Sequence, residues 1–246
     1  MGEVVQDQRP RTARQIAREE MTRRIVELAR AQLREVGPGQ LSLRAIARKL
    51  DISSSAIYRY FASRDDLLTA LLVEVYDEVG DVLEKADQQV TPRSAYAQRF
   101  LAVAHALRDW ARAHPYDWAL LYGSPVPGYA APEDTVLPAG RATGAFTAIV
   151  EDADAAGHRP RGSGAPLSAE ARASVAGLEA MLPRPIDEDL LLAGMAAWSG
   201  VMGAISLELF GHLHLAVVDY DAYFRAIVGI LVESTGLQDG EPEAGA

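Results

Sequence analysis

Apolar residues recur along this chain with a helical period. Met21, Ile25, Leu28, Ala29, Gln32 and Leu33 share one face, and five of these six are apolar, which predicts an amphipathic helix lying against a core. Gly37-Pro38-Gly39 ends it, because this triplet neither holds a helix nor supplies its hydrogen bonds. Ser42 then stands where an N-cap belongs, ahead of a short helix with Leu43, Ile46, Ala47 and Leu50 inside. After Asp51-Ile52, the serines Ser53, Ser54 and Ser55 open a third helix, with Ala56, Ile57, Tyr60 and Phe61 on its apolar side. Ser63-Arg64-Asp65-Asp66 reads as a capping box for a fourth helix reaching about Lys85, Ser63 as N-cap and Asp66 three residues on.

The pattern stays helical beyond that point. One helix is expected after Thr91-Pro92, with proline in the first turn, running to about His114. Others are expected over about 116–122, 139–155, 187–212 and 219–235, and a further one capped by Ser168 and ending at Pro183. Seven of the thirteen prolines lie in 115–166, so loops concentrate there. No convincing strand pattern, repeat or sustained heptad interrupts the helices. The expected class is all-α.

Composition changes this picture mainly through charge. The 246 residues include no cysteine and carry a net charge of −10. The missing thiols exclude disulfides, cysteine-ligated metal sites and a thiol nucleophile. An acidic total argues against a nucleic-acid partner only if the charge is evenly spread. Residues 1–64 hold thirteen bases and seven acids, a balance of +6; the other 182 residues hold 11 bases and 27 acids, a balance of −16. A basic head on an acidic body fits a nucleic-acid-facing module, although a solvated basic face gives the same sums. The first twenty residues lack the apolar stretch of a signal peptide, and no unbroken run of eighteen apolar residues predicts a membrane span. The expected location is the cytoplasm.

Three short helices over 20–61, the last two joined by a tight turn, form a helix-turn-helix candidate, whose final helix would enter the major groove. Leu43, Ile46, Ala47, Ile57 and Tyr60 can lock the pair. Asp51 occupies the turn position, where a residue tolerant of positive φ is needed. Ser54 and Ser55 allow close approach to a groove, and Tyr58 and Arg59 can reach phosphates or base edges. Ser42, Arg44, Ser53, Tyr60 and Arg64 complete the candidate DNA contacts, with Tyr60 and Phe61 reading more readily as core or backbone-contacting. Arg9, Arg11, Arg14 and Arg18 form an arm that either reaches a neighbouring phosphate or minor groove or adds diffuse attraction only.

The run from Leu41 to Leu72, LSLRAIARKLDISSSAIYRYFASRDDLLTALL, resembles the DNA-binding domain of the tetracycline-repressor (TetR) family. The marks are Leu41-Ser42, Ala47, Ile57-Tyr58-x-Tyr60-Phe61 and Ser63-Arg64-Asp65-Asp66-Leu67-Leu68, and the match covers about 18–72. Asp51 departs from the glycine usual there. The resemblance implies an all-α homodimer with an N-terminal three-helix DNA-binding domain and a larger helical ligand-binding and dimerisation domain. It also implies operator binding relieved by a small effector. The expected divisions are a disordered basic arm at 1–17, the DNA-binding domain at 18–64 (helix-turn-helix 42–61), the effector and dimerisation domain at 65–236, and a disordered tail at 237–246. The partners implied are a palindromic operator in double-stranded DNA, a second copy, and a largely apolar effector. No cofactor is implied. The fold accommodates an activator as well as a repressor.

A second resemblance covers Trp198 to Gly211, which is similar to a subgroup carrying a Trp-His-Gly signature; Ser199 stands in place of its histidine. His114-Pro115 and Tyr122-Gly123-Ser124-Pro125-Val126-Pro127-Gly128-Tyr129 fit the same subgroup. Large side chains in this half are candidates for an effector pocket: Phe100, His105, Trp110, Trp118 and Tyr122 first, then Phe146, Met181, Met195, Trp198 and Met202. For each alone the pattern favours plain core. Gly194, Gly200, Gly203 and Gly211 permit close helix packing. Gly200, Gly203, Leu207, Phe210, Tyr223 and Ile227 are candidates for the dimer interface, with intrachain packing as the alternative. His212 and His214 are two apart and share no helix face, so metal binding is not expected. No nucleophile elbow, phosphate loop or H-E-x-x-H motif occurs, so no enzyme is expected. The rival is a helical ligand-binding protein or enzyme whose basic end serves another acidic partner.

Overall fold

The computed structural model describes residues 12–160, 168–180 and 182–237. Among these there is no strand. In chain order the helices are α1 Ala13–Val36, α2 Leu43–Lys49, α3 Ser54–Ile57, α4 Arg64–Gln88, α5 Tyr96–Ala113, α6 Pro115–Tyr122, α7 Val136–Ala155, α8 Ala169–Ala173, α9 Ala176–Glu179, α10 Glu188–Leu209 and α11 Tyr220–Thr235. The chain divides into two compact units. The first takes residues to Leu72 together with Ser124–Pro132, and the second takes Val73–Gly123 and the rest from Glu133.

In the first unit the core is the apolar face read from the sequence. Ile25, Ala29 and Leu33 of α1, Leu43, Ile46 and Ala47 of α2, and Ile57 of α3 are all buried. Burial of a side chain the size of Ile46 or Ile57 is worth roughly 1.5–3 kcal/mol, so a few such residues fix these short helices, which would be marginal alone. Gln32, the one polar residue of that face, is also buried; its Oε1 accepts the Ser42 N–H at 2.9 Å. The division at Leu72 falls later than residue 64, and 124–132 joins this unit. There the Tyr129 and Thr69 hydroxyls lie 2.9 Å apart.

Several expected boundaries shift for identifiable reasons. The expected arm at 1–17 gives way to helix at Ala13. Thr12 caps α1, and Gln15 Oε1 accepts the Thr12 N–H at 2.8 Å, completing a capping box. Arg9 and Arg11 lie outside the described residues. Proline does not start α5. Thr91–Pro92 instead precedes a turn in which Ala95 N–H donates to the Pro92 carbonyl, and the helix begins at Tyr96. The helix expected over 168–183 is two short ones, α8 and α9, broken at Ser174-Val175. Leu237, expected in the tail, is fully buried. Gly236, at φ 71°, turns the chain inward after α11, as helix-terminating glycines do.

The second unit packs α5, α7 and α11 around α10. Phe100 and Phe146 meet edge to face at 5.0 Å in its core. Although no eighteen apolar residues run unbroken, α10 is long and apolar enough to cross a membrane by length and composition. In this molecule it packs against α5, α7 and α11 and buries Leu190, Leu191, Ala197, Val201 and Ile205. Buried arginines tie the bundle together. Arg99 Nε donates to Asp87 Oδ1 at 2.7 Å, and its Nη1 lies 2.7 Å from Asp152 Oδ2. Arg108 Nε donates to Glu208 Oε2 at 2.7 Å. Burial alone would raise the Asp87 pKa, but Arg99 and Arg93 hold the carboxyl below its usual range.

Candidate nucleic-acid interface

The turn between α2 and α3 is set by Asp51, which adopts φ 53°. This is the left-handed region that costs an L-residue roughly 1–2 kcal/mol and that aspartate tolerates better than most. Its N–H donates to the Arg48 carbonyl at 3.2 Å, and Ile52 N–H reaches back to Ala47 at 3.1 Å. Ser53 Oγ accepts from Ala56 N–H at 3.2 Å and lies 3.0 Å from Ser55 Oγ. The regular α-helix after it ends at Ile57, shorter than the apolar pattern suggested. Tyr60 N–H and Phe61 N–H both then donate to the Ile57 carbonyl.

This geometry sorts the candidate contacts. Ser53, Ser54, Ser55, Tyr58 and Arg59 are exposed and lie within seven consecutive residues, Tyr58 at 43%. Arg44 and Arg48 of α2 are exposed as well, and neither they nor Arg59 has a carboxylate partner among the described residues. By contrast, Lys49 lies 3.3 Å from Glu35, and Arg23 is taken up by Glu20 and Glu27. Bases without a carboxylate partner among the described residues therefore cluster around the turn and third helix, with Arg14 and Arg24 of α1 also lacking one.

The other candidates have structural duties. Ser42 is half-buried, and its hydroxyl accepts the Ala45 N–H at 3.4 Å as the cap of α2. Tyr60 is half-buried, with the Arg18 guanidinium 5.4 Å over its ring. Arg18 Nη2 also donates to the Arg59 carbonyl at 3.1 Å, so Arg18 braces the end of the third helix and is no part of a loose arm. Arg64 turns inward. Its Nη2 donates to the Pro38 carbonyl at 2.7 Å, its Nη1 approaches Asp65, and its Nε is buried without a partner among the described residues. The cap at Ser42 is local and readable from sequence spacing, but the roles of Arg18, Tyr60 and Arg64 are not, because each depends on a residue 26 to 42 positions away.

The second unit divides the pocket candidates in the same way. Phe100, Trp110 and Trp118 are buried; Trp110 Nε1 donates to Glu78 and Trp118 Nε1 to Ser206 Oγ. Burial raises the Tyr122 pKa and lowers that of His105, which packs on Phe224. Met202 packs against the same core, and Met181 lies outside the described residues. Among the described candidates, Phe146, Met195 and Trp198 line a cavity between α7 and α10. Its remaining walls are Thr143, Thr147, Val150, Leu178, Leu191 and Gly194. The four-residue repeat of Thr143 and Thr147 was the signal available in the sequence.

The small-residue candidates also separate. A Cβ on Gly200 would come 2.7 Å from Leu231 Cδ2, and one on Gly194 would come 2.9 Å from Val150 Cγ2. These two glycines therefore serve packing within the chain. Gly203 has open space above it; Leu207, Phe210 and Ile230 are exposed, whereas Tyr223 and Ile227 are half-buried. His212 and His214 sit exposed in the turns beyond α10.

The comparisons with known proteins agree with this architecture. Residues 25–71 match the family model of bacterial regulatory proteins of the tetR family, and residues 100–231 match that of the tetracyclin repressor-like C-terminal domain. The HTH-type transcriptional regulator Rv1816 of Mycobacterium tuberculosis is 41% identical over 227 residues, covering 89% of this chain and 96% of the relative. The regulator Mb1846 of Mycobacterium bovis matches equally. Among solved structures, the regulatory protein SCO4313 is similar with a TM-score of 0.74 and 31% identity, over 90% of this chain and 99% of that one. A tetR-family regulator from Rhodococcus RHA1 shares the fold at a TM-score of 0.58 and 19% identity over 89% of this chain and 98% of its own. With a helix-turn-helix domain in its N-terminal part and a helical domain following it in sequence, the chain belongs to the TetR family of bacterial transcriptional regulators.

Proposed function

We propose that this regulator is a homodimeric repressor that binds a palindromic operator through Ser53, Ser54, Ser55, Tyr58 and Arg59, flanked by Arg44. It leaves the operator when a small effector occupies the second unit. The carrying observation is the cluster of exposed hydroxyls and unmatched arginines around the turn at Asp51. Small hydroxyls permit close approach to the groove floor, and Arg59 can reach a phosphate or a guanine edge. The exposed Leu207, Phe210 and Ile230 on the last two helices and the turn after α10 support a second copy as partner. The cavity between α7 and α10 supports an effector. Repression relieved by the effector follows the family resemblance, and the cytoplasm is the place where such a protein meets DNA.

A two-fold dimer would place its recognition helices about 34–36 Å apart, one turn of DNA. Nuclease footprinting on the DNA upstream of the chain's own coding region tests this. Two symmetry-related protected half-sites one turn or a multiple apart are expected. A single asymmetric protected site would contradict the dimeric reading. Rising transcription on deletion of the gene is expected for a repressor, and falling transcription would make it an activator.

A further inference from the structure

We infer that the α7–α10 cavity takes a neutral, single-ring ligand carrying one hydrogen-bond donor, of the phenol class. The inference rests on the proposed reading of this cavity as the effector site, and it adds the ligand's chemistry.

The walls come from one stripe of α7 and one of α10, with Leu178 of α9 added. Thr143, Phe146, Thr147 and Val150 follow one another at helical spacing on α7, as do Leu191, Gly194, Met195 and Trp198 on α10. At Gly194 the two helices approach so closely that a Cβ would strike Val150. That contact closes the cleft locally, and the larger Phe146 and Trp198 side chains supply aromatic walls elsewhere. The cavity measures about 110 Å³. For scale, an engineered apolar cavity of about 150 Å³ holds benzene. The space therefore suits one ring and excludes a long acyl chain lying wholly inside.

Charge narrows the class further. Among the described residues, no charged side chain lines the cavity, and an ion moved into apolar surroundings without a counter-charge loses its solvation uncompensated. The polar side-chain groups of its described wall are the Trp198 indole N–H, a donor, and two threonine hydroxyls whose protons are already engaged. Thr143 Oγ1 donates to the Gly140 carbonyl at 3.1 Å, and Thr147 Oγ1 donates to the Thr143 carbonyl at 3.1 Å. A threonine hydroxyl has one proton and two acceptor lone pairs. These two therefore face a ligand as acceptors, and the matching ligand group is an O–H or N–H.

The test is ligand-detected NMR titration of the full chain with phenol, toluene and benzoate. Phenol is expected to bind, toluene more weakly, and benzoate at least tenfold more weakly than phenol. In the near-isosteric variant Thr147→Val, phenol should weaken three- to tenfold while toluene stays unchanged. A melting curve matching the parent shows that the variant folds. Benzoate binding as tightly as phenol, no binding of any of the three at millimolar concentration, or equal losses for phenol and toluene in the variant would each overturn the assignment. Release of the protein–DNA complex by phenol is measured separately. Binding without release would contradict the effector reading and leave the ligand class standing; failure to bind would overturn the ligand class alone.

Discussion

Arg64 Nη2 donates to the Pro38 carbonyl oxygen at 2.7 Å, joining the first turn of α4 to the loop that precedes α2. The bond uses a charged donor on a half-buried side chain, a type of interaction worth about 1.5–3 kcal/mol. Arg64→Ala should therefore lower the stability of the first unit by roughly 1–3 kcal/mol, read in thermal or urea unfolding. Arg64→Lys should lose most of the same stability, since an ammonium cannot reproduce the guanidinium fork. If Arg64→Lys instead keeps parental stability but weakens DNA binding, the residue is a DNA contact after all.

Asp51 holds φ 53° without the freedom of glycine. Asp51→Gly should be neutral or slightly stabilising, and Asp51→Ala should cost about 1 kcal/mol, because alanine tolerates the left-handed region less well than aspartate. Unfolding midpoints of the three proteins check the order. An alanine variant as stable as the glycine one would mean that the turn imposes no strain.

Asp87 provides the acid-side dependence. Arg99 and Arg93 keep its carboxyl below the ordinary value, against the upward push of burial. A carboxyl with a depressed folded-state pKa contributes stability above its unfolded value, near 3.8, and that contribution is lost as pH falls through the folded value. Asp87→Asn should therefore destabilise the second unit at neutral pH by about 3 kcal/mol, the scale of a broken buried pair. It should also flatten the fall in stability between about pH 5 and 2. Unchanged acid dependence in the variant would assign that slope to other carboxylates.

Tyr58 and Arg59 are exposed at the end of the third helix. Tyr58→Ala and Arg59→Ala should each weaken operator binding by roughly 1–3 kcal/mol and leave the unfolding midpoint unchanged. Unfolding in either variant would place that side chain in the core.

Much of this architecture was legible because it is local. Ser63 Oγ accepts the Asp66 N–H at 3.0 Å, and Asp66 Oδ2 accepts the Ser63 N–H at 3.0 Å, a reciprocal cap written within four residues. The positive φ at Asp51, the caps at Ser42, Ser53, Asp187 and Asp219, and the buried stripe of Ile46 and Ile57 are of the same kind. What sequence could not show is set by distant partners. Arg18 and Arg64 carry the same basic charge as Arg59, and only the fold directs them onto the Arg59 and Pro38 carbonyls. Most of the large aromatics of this half fill the core and do not line the cavity. Its distinguishing polar groups are two threonines whose role follows from how α7 meets α10.

The bases left unmatched around the third helix are expected to neutralise DNA phosphates. The most direct measurement is the affinity for the chain's upstream DNA as a function of salt, for the parent and for Arg59→Ala. Each neutralised phosphate contributes about 0.9 to the slope of log K against log salt. A steep negative slope is expected in the parent, reduced by about one in the variant where Arg59 meets a phosphate, or unchanged with relaxed sequence preference where it meets a base. A slope near zero in the parent, or a variant that keeps parental slope, affinity and sequence preference, would mean that these arginines do not bind DNA.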